Sequence, residues 1–129
     1  MFLKIAMLAG TIALCTIVGQ NGKSGETPFF CNLKALNGAE RSEHLKLTVR
    51  LGEAVLKMVE VTDGYVFEID DSRLSFKDLA TWTAFERRCC PFFDFSLALG
   101  RENGPMTLRL TGRDGVKDFI RAEFQKSSR

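Results

Sequence analysis

The chain has 129 residues, of which 45% are hydrophobic and 26% are charged, a size and composition that suit one domain with its own core. Its 18 basic and 16 acidic residues give a formal net charge of +2, and the charges are spread along the chain without a basic run. This distribution gives no electrostatic support for nucleic-acid binding. The sequence also lacks a glycine-rich phosphate-binding loop.

The N-terminal segment differs in composition from the rest of the chain. Lys4 is followed by an apolar run over residues 5–18, which is typical of a secretory signal peptide and shorter than the roughly 18–20 apolar residues that a membrane span needs. A membrane anchor formed by this segment is the alternative. We therefore predict an exported protein without stable membrane insertion after cleavage, with a signal peptide over 1–19, a linker over 20–30 and a single domain over 31–129.

The first half of the predicted domain contains a helix followed by two strands. Asn37 and Glu40 fit a capping box at the start of the helix. Asp63 and Gly64 form the residue pair that is typical of a type I′ turn, so the strands on either side of them are predicted to form a hairpin. One helical face carries residues at the spacing of a buried stripe: His44, Leu47, Thr48, Leu51 and Val55.

The second half repeats this order and adds a third helix. Ser75 and Asp78 open the second helix, which Pro91 must end because proline has no N–H and disfavours helical dihedrals in the residue before it. Apolar alternation predicts two further strands over 93–99 and 106–111. The predicted fold is an α+β two-layer sandwich, in which a four-stranded antiparallel sheet of two hairpins carries three helices in the order α-β-β-α-β-β-α.

Cysteine usage suggests a site at the end of the second helix. Removal of Cys15 with the signal peptide leaves Cys31, Cys89 and Cys90, and an odd number allows either one disulfide plus a free thiol or a three-thiol metal site. Consecutive helical residues diverge by 100°, and adjacent Cα atoms lie closer together than in ordinary disulfides. Cys89 and Cys90 are therefore predicted to point to different places and to meet different partners.

Two ionisable side chains fall on apolar helix faces near these cysteines. Glu86 precedes the adjacent cysteines by three and four residues, so its carboxylate can meet them on one surface. His44 lies on the apolar face of the first helix. A buried carboxylate needs a partner, and the candidates are Arg41, Arg109 and backbone N–H groups of the segment around the first mature cysteine.

These residues predict a site for a soft metal ion or metalloid, such as zinc, copper or a mercury-like ion. Cys31, Cys89 and Cys90 would supply thiolates, His44 a fourth ligand, and Glu86 would orient the histidine or a bound water. The alternative is a non-catalytic exported domain with a disulfide from Cys31 to Cys89 or Cys90. An enzyme with a cysteine nucleophile and His44 as base ranks third, since no oxyanion or cofactor motif accompanies them; no catalytic residue is assigned.

The sequence also resembles a bacterial family of small uncharacterised proteins over residues 31–124. The resemblance rests on "CNLKALNGAERSEH", "DGYVFEID", "ERRCCPFFDFSLAL" and "LRLTGRDGVKDFI", and its most specific part is the Glu-Arg-x-Cys-Cys-Pro-Phe block. A similar Cys-Cys-x-Phe segment is found behind some heavy-metal-responsive bacterial regulators, whose helix-turn-helix portion this chain lacks. The resemblance implies no activity. The positions that match the family pattern are Cys31, Arg41, His44, Glu86, Arg87, Cys89, Cys90 and Pro91.

Overall fold

The structure is a computed structural model that describes residues 26–127. The predicted signal peptide and residues 20–25 of the predicted linker lie outside the described residues. Within the described part of the chain, none of the helices is long and apolar enough to cross a membrane. Within these residues the structure has eight elements, the first of them a short 3₁₀ helix, in the chain order η1 (Leu33–Ala35), α1 (Gly38–Ala54), β1 (Val55–Val61), β2 (Gly64–Ile69), α2 (Phe76–Cys89), β3 (Asp94–Leu99), β4 (Met106–Thr111) and α3 (Val116–Ser127).

The four strands form one antiparallel sheet in the order β1-β2-β4-β3. Each hairpin, β1–β2 and β3–β4, places its second strand in the centre of the sheet, so the fold consists of two αββ units joined through β2 and β4. The third helix follows the second unit. This arrangement confirms the predicted α+β class and element order, and it adds the strand order, which the sequence pattern did not specify.

The core lies between one face of the sheet and the helices. Tyr65 and Phe67 of β2 stand opposite Leu110 and Leu108 of β4, and directly paired residues project to the same face of a sheet. All four side chains are buried. The helices contribute the other large buried side chains of this layer: Leu47, Leu51, Leu79, Trp82, Val116 and Ile120.

Both helices that carry the candidate site begin at the predicted caps. The Asn37 side chain accepts a hydrogen bond from the backbone N–H of Glu40 at 2.9 Å, and the Glu40 carboxylate accepts one from the N–H of Asn37 at 3.0 Å. The Ser75 hydroxyl accepts from the N–H of Asp78 at 3.1 Å. α2 ends at Cys89, and Cys90 is its C-terminal cap. These boundaries set where the cysteines lie relative to α1.

The predicted type I′ turn at Asp63 and Gly64 is wrong. The turn consists of Thr62 and Asp63, β2 already begins at Gly64, and neither residue of the predicted pair has a positive φ. Gly64 is required for a different reason, because a Cβ atom there would lie 1.9 Å from the carbonyl oxygen of Leu110. The positive φ values of a type I′ turn occur in the other hairpin instead, at Glu102 and Asn103 (57° each), as in turns of that class.

Residues 26–30 of the predicted linker lie against the domain. The Phe29 ring contacts the Phe92 ring edge to face, with centroids 5.2 Å apart, and lies 6.3 Å from the Phe119 ring of α3. The guanidinium of Arg113 covers the Phe29 ring at 4.2 Å and donates a hydrogen bond to the carbonyl of Thr27. These contacts hold the chain just before Cys31 in a defined position.

Candidate functional site

A disulfide joins the segment before α1 to the end of α2. The sulfur atoms of Cys31 and Cys90 are 2.17 Å apart and their Cα atoms 4.8 Å apart, within the Cα range of ordinary disulfides. The backbone N–H of Asn32 donates to the carbonyl of Cys89 at 2.8 Å, so a backbone hydrogen bond links the same two segments as the disulfide. Of the sequence alternatives, the bridge from Cys31 to Cys90 is the one that the structure contains.

His44 and Glu86 form a buried pair between α1 and α2. The Nε2 atom of His44 lies 2.6 Å from the Glu86 carboxylate, and the two residues are only 8% and 9% exposed. The imidazole ring is stacked near Trp82 and meets Phe85 edge to face. Strong burial among aromatic rings makes this hydrogen bond worth more than a surface contact, since either partner alone would be an unsatisfied buried group.

The Glu86 partners proposed from the sequence were wrong. The Arg109 guanidinium lies 3.4 Å from the Asp63 carboxylate, and the backbone N–H of Arg41 donates to the carbonyl of Asn37. Among the described residues, neither arginine forms an ion pair with Glu86, whose carboxylate pairs with His44. The role that the sequence suggested for Glu86, orientation of His44, agrees with the observed contact. Helical phase had placed both residues on apolar faces but contained no information about which groups on the other helix would face them.

Cys89 is the free thiol of the described residues, and it is completely buried. Its sulfur lies 3.5 Å from the carbonyl oxygen of Glu86 and 3.9 Å from the Glu86 carboxylate. Burial, and after it the negative charge of Glu86, raises the pKa of the Cys89 thiol to about 11. At neutral pH Cys89 is therefore a protonated donor to Glu86, and it is not an activated nucleophile.

The prediction that Cys89 and Cys90 point to different places is wrong for their sulfur atoms, which lie 3.9 Å apart. The 100° increment holds only inside a helix. Cys90 has left the helix, with φ −124° and ψ 68°, because it precedes Pro91, and a residue before proline avoids helical dihedrals. The two cysteines do have different partners, as predicted, since Cys90 bonds to Cys31 and Cys89 contacts Glu86.

The five residues predicted for the site therefore meet at one place. Ligand atoms of Cys31, Glu86 and Cys90 lie within 4.8 Å of one another, and so do those of His44, Glu86 and Cys89. Glu86 belongs to both groups and joins them. We refer to the five residues Cys31, His44, Glu86, Cys89 and Cys90 as the cysteine cluster. Three sulfurs, an imidazole and a carboxylate are a donor set that suits soft and borderline metal ions.

Arg88 supports the cluster and was missed in the sequence. Its side chain is exposed, and its guanidinium donates hydrogen bonds to the Glu40 carboxylate at 2.5 Å and to the carbonyl of Ala35 at 2.8 Å. These contacts fasten the end of α2 to η1 and to the start of α1. No spacing rule could have found them, because the partners lie far away along the chain.

Comparisons of this chain with protein-family models, with curated proteins and with solved structures gave no match. Its function is therefore argued from the geometry of the cysteine cluster.

Proposed function

We propose that the reduced protein binds one soft metal ion or metalloid through the cysteine cluster. The thiolates of Cys31, Cys89 and Cys90 serve as ligands, with His44 as the fourth. The observation that supports this most directly is the 3.9 Å separation of the Cys89 and Cys90 sulfurs. A tetrahedral ion with metal–sulfur bonds of about 2.3 Å holds neighbouring sulfurs about 3.8 Å apart. Little rearrangement is then needed for both thiolates to bind one ion.

Glu86 supports the proposal as the residue that orients His44. A metal-binding histidine commonly donates its second ring N–H to a carboxylate, which sets the tautomer and the direction of the ring. The 2.6 Å contact between Nε2 of His44 and Glu86 is of this kind. When Cys89 loses its proton to a metal, Glu86 also loses a hydrogen-bond donor, so its interaction with His44 becomes the remaining one.

The oxidised protein fits a second function, that of an exported domain whose cysteines serve structure. The bond between Cys31 and Cys90 withdraws two of the three thiols from metal binding. Disulfides persist in oxidising compartments outside the cytoplasm, and the apolar N-terminal run of residues 5–18 favours export. In that case the cluster binds no ion, and Cys89 is a small buried side chain.

Metal titration of the reduced and the oxidised protein separates the two functions. With oxygen excluded, we expect native mass spectrometry to detect one Zn²⁺ or Cu⁺ per reduced chain and none when the disulfide is intact. Cys89→Ser and Cys90→Ser should lose the ion, while Glu60→Gln, whose carboxylate pairs with Lys117 outside the cluster, should keep it. Glu86→Gln should weaken binding by about 10–100-fold, as changes behind a metal ligand do.

Two results would contradict metal binding. One is a reduced protein that remains folded yet takes up no ion, which would leave the structural disulfide as the function of the cysteines. The other is equal binding by Cys89→Ser and Glu60→Gln, which would mean that the ion binds elsewhere on the chain.

A further inference from the structure

A cavity lies next to the cysteine cluster, between the helices and the sheet. Its volume is about 720 Å³, within the range of 300–1,000 Å³ that is typical of small-molecule sites. Cys31, His44 and Glu86 form part of its wall, whereas the other two cysteines of the cluster do not line it. Most of the lining is apolar and includes the aromatic rings of Phe67, Trp82, Phe93 and Phe119 and the aliphatic side chains of Leu108 and Ile120.

Exposed apolar side chains line part of the cavity mouth. Leu33 of η1 and Leu45 of α1 line it and are 48% and 64% exposed. Gly52 of α1 lies on the same wall, and a Cβ atom there would meet no atom within 4 Å. An apolar molecule can therefore enter along Leu33 and Leu45, beside the exposed side chains of Arg41 and Ser42.

The polar and charged side chains that line the cavity are Arg41, Ser42, His44, Thr48, Glu86 and Glu123, and three of them, His44, Thr48 and Glu86, form hydrogen bonds within the protein. The indole N–H of Trp82 donates to the hydroxyl of Thr48 at 3.1 Å, and Glu86 accepts from Nε2 of His44. Among the described residues, every fully buried side-chain nitrogen or oxygen has a hydrogen-bond partner. The Nδ1 atom of His44 has no partner among them, so it is not fully buried, and His44 is one of the residues that line the cavity.

The chemistry of Nδ1 follows from the contact on the other side of the ring. When a carboxylate accepts a hydrogen bond from Nε2–H, the neutral imidazole carries its lone pair on Nδ1. Nδ1 then accepts a hydrogen bond. A hydroxyl group is a suitable donor for it, whereas a charged ligand would lose its hydration in an apolar space beside Glu86.

We propose that this cavity binds a small, uncharged, mainly apolar molecule that carries one hydroxyl group. The hydroxyl donates to Nδ1 of His44, and the apolar body lies among the aromatic rings that line the cavity. This site shares His44 with the metal site but differs from it in ligand and in redox state, because it needs the imidazole and the cavity walls and no thiolate. It operates with the bond between Cys31 and Cys90 intact.

Three related compounds test the proposal on the full-length, disulfide-bonded protein: 4-propylphenol, propylbenzene and 4-propylbenzoate. Trp82 is the one tryptophan of the chain and lines the cavity, so its indole N–H resonance reports occupancy in NMR titrations, and calorimetry gives the affinities. We expect the phenol to shift this resonance and to bind about tenfold more tightly than propylbenzene, the factor that one net hydrogen bond supplies. The benzoate should bind most weakly.

Two variants locate the ligand. Gly52→Phe should narrow the mouth and weaken binding of the phenol at least tenfold, while the matched control Gly52→Ala should bind as the wild type does. The double variant His44→Leu/Glu86→Met removes both partners of the buried pair together, which avoids an unpaired polar group. It should bind the phenol and propylbenzene equally well.

Three outcomes would overturn the proposal. An unchanged Trp82 resonance at millimolar concentrations of all three compounds would mean that the cavity is closed or is filled by the chain itself. Equal affinity of Gly52→Phe and Gly52→Ala would mean that the ligand binds elsewhere. A preference of the wild type for the benzoate would mean that a cationic group, such as Arg41 on the wall of the cavity, selects an anion instead.

Discussion

At the residue scale, Cys89 shows how one buried contact sets the chemistry of a thiol. Cys31 and Cys90 form a disulfide, so Cys89 is the remaining thiol of the cluster. Its sulfur faces Glu86, and burial and this negative charge raise its pKa. A thiol enzyme needs the opposite arrangement, a cation or a helix N-terminus beside the sulfur. Cys89 therefore lacks the environment that activates a cysteine nucleophile.

The raised pKa of Cys89 predicts a loss of stability in alkaline solution. Below about pH 9 the thiol is protonated in both the folded and the unfolded chain. Between pH 9 and the folded-state pKa of about 11, only the unfolded chain releases the proton, so stability falls as pH rises. The loss approaches about 2–3 kcal/mol once both forms are ionised.

Denaturant unfolding of the wild type and Cys89→Ala at several pH values checks this. The difference in unfolding free energy between the two proteins should be constant from pH 6 to 8. Between pH 9 and 11 the wild type should lose stability relative to Cys89→Ala. A difference that stays constant up to pH 11 would mean that Cys89 titrates like an exposed cysteine, and its contact with Glu86 would then be wrong.

At the element scale, the parts that sequence reasoning predicted correctly are those with local causes. The capping box at Asn37, the N-cap at Ser75 and the stop at Pro91 act within a few residues, so α1 and α2 could be placed from the sequence. The partner of Glu86 and the strand order depend on contacts between distant parts of the chain, which periodicity does not encode. The direction of Cys90 was predicted wrongly because the helical increment was applied to the residue before Pro91, which avoids helical dihedrals.

Substitution of Gly64 tests the close pairing of β2 with β4. Gly64→Ala would place its Cβ atom 1.9 Å from the carbonyl oxygen of Leu110, so β2 and β4 must separate locally. We expect a loss of roughly 2–4 kcal/mol in unfolding free energy, as for severe overpacking. Gly52→Ala is the matched control, since its Cβ meets nothing within 4 Å, and alanine stabilises a helix interior by about 0.5–1 kcal/mol.

Thermal and denaturant melts of both alanine variants measure these effects. If Gly64→Ala were as stable as the wild type, the paired register of Gly64 with Thr111 would be incorrect. The turn assignment would then have to be reconsidered with it, because β2 would begin later than Gly64.

At the scale of the whole molecule, the disulfide ties the N-terminal segment to the end of α2. The bridged cysteines are separated by 59 positions in the sequence, and a closed loop of that size lowers the entropy of the unfolded chain by an amount worth about 4 kcal/mol. For a domain of this size that is a large share of a total stability of about 5–15 kcal/mol. Reduction should therefore lower the melting temperature substantially.

Melts with and without a thiol reductant test this, with Cys89→Ser as the control that keeps the disulfide. Wild type and Cys89→Ser should both lose stability on reduction, and Cys31→Ser should be weakened from the outset and insensitive to the reductant. Equal melting temperatures of the oxidised and reduced wild type would argue that the bridge forms without constraining the unfolded chain. If the metal proposal holds, Zn²⁺ should restore part of the stability of the reduced protein.

The division of the sheet into two hairpins has a kinetic consequence. Each hairpin joins neighbouring segments and can form within microseconds, whereas pairing of β2 with β4 must bring together strands that have all of α2 and β3 between them. That step carries the larger loop-closure entropy, so we expect it to limit the folding rate. Substitutions at the pairing of Phe67 with Leu108 should then slow refolding, while those in the 101–104 turn should mainly speed unfolding. Stopped-flow measurements of the folding and unfolding rates test this. If the β3–β4 hairpin were the nucleus, substitutions in the 101–104 turn would slow refolding and those at Phe67 and Leu108 would mainly speed unfolding.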